Sequence, residues 1–157
     1  MSSLPAATGL APALRRVGGV AVASGSLFVA AGAGAWFTVT KQLRDENITV
    51  PGNATLLPGK RVQGPVSAYA EALIIKSNAE RGSGGRTFAD ISEALRGVDG
   101  GSEEAAALRK QSAALSTGAA LRTSLMTSVL AYGVSAFAVG LGAIFLITGT
   151  QLRRLDD

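Results

Sequence analysis

Two internal carboxylate pairs, Asp45-Glu46 and Glu103-Glu104, are the raw material of acid–base or metal chemistry. Neighbouring residues on a helix do not face one another, so both pairs read as solvated or helix-capping groups. Arg81-Gly82-Ser83-Gly84-Gly85-Arg86 would offer backbone amides to an anion. It lacks the Gly-Lys-Ser/Thr ending of a phosphate loop and reads as a turn. Lys60, Lys76 and the serines supply the parts of a Ser-Lys pair, but neither a Ser-x-x-Lys pattern nor a nucleophile elbow accompanies them. Asn47-Ile48-Thr49 and Asn53-Ala54-Thr55 are glycosylation sequons, which act only in a eukaryotic secretory pathway. Cysteine and histidine are absent. That removes thiolate nucleophiles, imidazole bases and the usual ligands of zinc, copper and non-haem iron. The expectation is therefore a chain with no catalytic residues, no metal and no cofactor.

The elements that carry these groups explain the composition better than any reaction does. Of 157 residues, 47% are apolar, only 17% are charged and 20 are glycine. A soluble domain carries about 25% charge. Val17–Thr40 and Leu125–Thr150 contain no charged residue. As helices they would rise about 36–39 Å, enough to cross a bilayer, and a lone span in lipid must be helical to satisfy its own amides. Small residues recur along each at spacings of three and four. They are Gly18, Ala21, Gly25 and Gly32, with Phe28 among them, in the first. They are Ser128, Ala131, Ser135, Ala138, Gly142 and Gly149, with Phe145 among them, in the second. Such stripes let helix backbones approach closely where lipid removes the hydrophobic drive to associate. Val29 lies off the Gly18/Gly25/Gly32 stripe and is expected to be indifferent to the contact.

Charge sets the expected orientation. Arg15 and Arg16 precede the first span, and Arg153 and Arg154 follow the second, so both termini are expected in the cytoplasm of a plasma-membrane protein. The segment from Lys41 to Arg122 holds 11 basic and 9 acidic residues and is long enough to translocate whatever its charge. With the net charge of +4 divided between anchors and this near-neutral segment, no nucleic-acid surface is needed. Trp36 and Phe37 fall at the outer interface, where aromatic rings prefer to lie. Ala31-Gly32-Ala33 has the look of a signal-peptidase site. The apolar run continues past it through Trp36 to Val39, longer than a leader requires, and reads as an anchor.

Between the spans, Asn47–Arg61 is expected to be loop with a short extended piece at Ile48–Val50. Pro65 opens a helix with Val66, Tyr69, Ala70, Leu73 and Ile74 on one stripe and Glu71 and Lys76 off it. Thr87 to Asp90 fits a capping box ahead of a short helix with Phe88, Ile91 and Leu95 inward. Ser102 caps a further helix, with Glu103 and Glu104 favouring its dipole. That helix is expected to run unbroken into the second span, weakest at Gly118. The segments are thus residues 1–16 (cytoplasmic tail), 17–40 (first span), 41–124 (extracytoplasmic helical segment), 125–150 (second span) and 151–157 (cytoplasmic tail).

Trp36-Phe37-Thr38-Val39 and Glu46-Asn47-Ile48-Thr49-Val50 bracket the end of the first span. Gly59-Lys60-Arg61-Val62 leads into Gly64-Pro65, Ala68-Tyr69-Ala70-Glu71-Ala72 follows, and Leu121-Arg122-Thr123-Ser124-Leu125 opens the second span. Over Leu27 to Gly142 these stretches resemble a family of small two-span actinobacterial membrane proteins often named aromatic ring-opening dioxygenase. That name implies iron held by two histidines and a carboxylate, which a chain without histidine does not supply. The resemblance, with the analogy of small accessory subunits in actinobacterial respiratory supercomplexes, implies an all-α membrane protein serving a larger membrane complex. The alternative is an independent envelope module that binds through its outer segment.

Overall fold

The structure, a computed structural model, describes residues 10–154. Within them lie four helices, α1 (Leu10–Asp45), α2 (Pro65–Gly82), α3 (Phe88–Gly97) and α4 (Glu103–Arg154), and no strand. The chain divides into two units. One comprises residues up to Val39 with those from Ala131 onward, and the other is Thr40–Leu130; α1 and α4 contribute to both.

Both long helices outrun their uncharged spans. Lys41-Gln42-Leu43-Arg44 prolongs α1 with residues of good helix propensity, and Lys41 pairs with Asp45 one turn on at 2.7 Å. α1 ends where Asn47 turns left-handed at φ 56°, a conformation asparagine tolerates at helix ends. At its other end α1 takes in Leu10–Arg16, and α4 takes in Gln151–Arg154, so part of each expected tail is helical. α4 runs 52 residues, about 78 Å, straight through Gly118.

In the Thr40–Leu130 unit, the loop after α1 closes on itself. Thr49 and Arg61 form an antiparallel bridge, and the Val50 amide donates to the Lys60 carbonyl at 2.9 Å. Val50 and Val62 are thereby buried completely. Ser67 accepts the Gln63 and Gly64 amides at 3.0 and 3.1 Å, fixing the start of α2. Thr87 and Asp90 exchange both bonds of the capping box at the head of α3, and the Ser102 hydroxyl accepts the Ala105 amide at the head of α4. Leu43, Ile74, Ile91, Leu108 and Leu125 are buried, as are Ala68, Ala70 and Ala72 of α2.

The stripe expected on α2 is buried only at Ala70 and Ile74. Ser67, Ala68, Ala70, Glu71, Ala72 and Ile74 face inward, while Val66, Tyr69 and Leu73 are exposed. On α3 only Ile91 is fully enclosed; Leu95 is half-buried and Phe88 exposed. Close approach brings the small side chains of α2 inside with Ile74 and leaves Val66, Tyr69 and Leu73 outside.

Candidate functional site

The first unit is a pair of antiparallel helix segments in contact along their small residues. A β-carbon on Gly18 would lie 2.8 Å from the Gly149 carbonyl oxygen, one on Gly25 2.7 Å from that of Gly142, and one on Gly32 2.7 Å from that of Ser135. The reverse substitutions at Gly142 and Gly149 meet the Gly25 and Gly18 carbonyl oxygens at 2.7 Å. Three contacts seven residues apart on each helix, matched in antiparallel order, have the repeat of a left-handed coiled coil.

Four residues after each small residue stands a larger one that covers the facing gap. Val29 Cγ2 lies 2.7 Å from the position a β-carbon of Gly142 would take. Val22 does the same at Gly149, and Val139 at Gly32, each at 2.9 Å. Val29 is therefore part of the contact, contrary to its expected indifference. The aliphatic stem of Arg153 lies against Gly18, its Cγ 2.9 Å from the β-carbon position, so this arginine covers helix surface as well as carrying charge.

Aromatic pairs flank the stripe. Trp36 meets Tyr132 edge to face with centroids 4.6 Å apart, and Phe28 stacks on Phe145 at 6.1 Å. Tyr132 and Ser135 are buried. The Ser135 hydroxyl donates to the Ala131 carbonyl at 2.8 Å and that of Ser128 to Ser124 at 3.2 Å, so both satisfy themselves within α4. Ala21, Ala131, Ala138 and Ser128 are half-buried, and Arg15, Arg16, Arg153 and Arg154 are exposed.

The other sequence candidates disperse. Gly84 and Gly85 take positive φ, and the amides of Ser83, Gly84, Gly85 and Arg86 donate to Ala79, Arg81, Glu80 and Ser83. The turn consumes its own donors in ending α2 and presents no anion cradle. Asp45 is committed to Lys41, and Glu103 and Glu104 sit exposed in the first turn of α4. Among the described residues no three acidic side chains converge in a way that would hold a metal ion.

One group escaped the sequence reading. Glu71 is buried in the second unit, and its Oε2 has no hydrogen-bond partner. Burial raises its pKa above the ordinary carboxylate value. Its signal was faint, a lone carboxylate inside the Ala68–Ala72 run.

Compared with protein-family models, curated proteins and solved structures, the chain matches none. Function must be read from the geometry itself.

Proposed function

We propose that this chain is a non-catalytic integral membrane protein that crosses the plasma membrane twice and serves as an accessory or structural subunit of a larger membrane complex, such as the respiratory supercomplex of an actinobacterium. The supporting observation is the apolar surface left over after the helices pair. α1 and α4 are long and apolar enough to cross a membrane, yet only 11% and 17% of their most apolar windows is buried. Leu27 and Phe37 are each 71% exposed, and Phe137 67%. A soluble protein does not leave such faces in water; lipid, or another membrane subunit, accounts for them.

The charges favour cytoplasmic termini with residues 41–124 outside. Gly19, Gly34, Gly133 and Gly140 have open space where a β-carbon would be, which leaves small-residue positions for a neighbouring helix to approach. The resemblance to small two-span actinobacterial membrane proteins agrees with this reading, and the dioxygenase name does not, for want of histidine.

The test is mild detergent solubilisation from native membranes followed by native mass measurement. A stoichiometric larger partner is the expected result. A lone monomer or homodimer would overturn the accessory role and favour the independent envelope module.

A further inference from the structure

The second unit contains a groove of about 270 Å³ between α2 and α4. Ile75, Phe88 and Leu115 give it an apolar lining beside Lys76, Arg86, Arg122 and Glu80, and Asp90, just outside it, feels the charge of Arg86. Glu80 is spent on Lys76, at 3.7 Å. Arg86 is held in place by a 2.6 Å bond to the Gln111 Oε1. Arg122 makes no hydrogen bond or ion pair among the described residues and is exposed. It is the last charged residue before the uncharged run of α4, which begins at Thr123, and it stands about 4.5 Å along the helix from Leu125.

We infer that this groove binds an anionic phospholipid, with the phosphate at Arg86 and Arg122 and the start of an acyl chain along Ile75, Phe88 and Leu115. Two features select that occupant. Surplus positive charge beside an apolar lining matches an amphiphile, whereas a free anion would leave the lining wet. Arg122 also lies within a turn of the run proposed to enter the bilayer, at a depth where an arginine side chain reaches the lipid headgroups. The volume sits just below the usual range for a whole small ligand, about 300–1,000 Å³, and suits a headgroup with part of one chain. This rests on the membrane-spanning part of the proposed function and not on the identity of any partner.

The experiment uses the full chain in neutral detergent micelles and native mass spectrometry with added phosphatidylglycerol or phosphatidylcholine of identical chains. Phosphatidylglycerol should bind about tenfold more tightly. Each basic residue beside an anionic lipid is worth about fivefold, so Arg86→Gln with Arg122→Gln should cost roughly twentyfold and abolish the preference. Lys60→Gln, outside the groove, should retain it, and millimolar inorganic phosphate should not displace the lipid. Equal binding of the two lipids, a preference that survives in the double variant, or displacement by phosphate would each overturn the inference. Carbonate extraction separates the two failures. A chain released from the membrane defeats the membrane reading itself, whereas one retained without lipid preference defeats only the groove.

Discussion

Replacing Gly25 by alanine adds one methyl group, and the geometry states what that methyl meets: the Gly142 carbonyl oxygen at 2.7 Å and the Leu146 amide nitrogen at 2.9 Å. Even a favourable carbon–oxygen contact sits at about 3.3–3.6 Å, so the helices would have to part by roughly 0.6–0.9 Å. Both obstacles are backbone, which cannot rotate aside. A gap of that size forfeits about a quarter to a half of the dispersion energy of every contact it opens, and overpacking of this kind costs about 1–3 kcal/mol. Alanine returns about 0.8–1.0 kcal/mol of helix propensity, leaving a net loss of about 0–2 kcal/mol. The controls are Gly34→Ala and Gly140→Ala, where nothing lies within 4 Å. They keep the propensity gain and should be neutral or stabilising by up to about 1 kcal/mol. Sodium dodecyl sulfate titration of the purified chain in mild detergent, followed by the fluorescence of Trp36 against Tyr132, measures the difference. Gly25→Ala and Gly142→Ala should fall about 1–3 kcal/mol below the controls, and together they should cost less than their sum because they open one shared contact. Interface and control variants of equal stability would refute the close-contact reasoning.

Glu71 carries a pKa raised by desolvation. The native state therefore holds its proton to higher pH than the unfolded chain does, so stability is greatest below the ordinary carboxylate range and declines as pH rises through it towards the native value. In denaturant titrations across pH, Glu71→Gln should remove that decline; an unchanged slope would show the carboxyl to be solvated. Gly118→Ala places its methyl 3.6 Å from Ile75 Cγ2 and 3.7 Å from Ala79 Cβ, ordinary contact, so the thermal midpoint should rise by the equivalent of up to about 1 kcal/mol. For orientation, an impermeant thiol reagent on intact cells should label Thr55→Cys but not Gln151→Cys, both exposed positions in a chain otherwise without cysteine; the reverse pattern would invert the topology.

The helical class and the two long apolar helices are legible in the sequence because uncharged runs of such length leave few alternatives. So are the local devices, the Thr87–Asp90 box and the Ser102 cap, which depend on residues three apart. The spacing of Gly18, Gly25 and Gly32 is visible in the same way. What faces them is not, because pairing is a property of two helices and each stripe taken singly is silent about register. The part played by Val29 stayed hidden for that reason. On α2 the helical period picks out Ala70 and Ile74, which are buried, together with Tyr69 and Leu73, which are not, and it passes over Ala68 and Ala72, which closeness of approach takes inside. Glu71 was set outside the core because a carboxylate seldom goes in unpaired.

A contact repeated every seven residues has a further property. Slide one helix along the other by about 10.5 Å and Gly25 comes to face Gly149, with backbone meeting backbone much as before. The small residues therefore fix how near the helices come and are nearly blind to how far along they sit. The features that do not repeat break that degeneracy: Trp36 meets Tyr132 edge to face, and Phe28 stacks on Phe145. In this pair, distance is written in glycine and phase in aromatic rings.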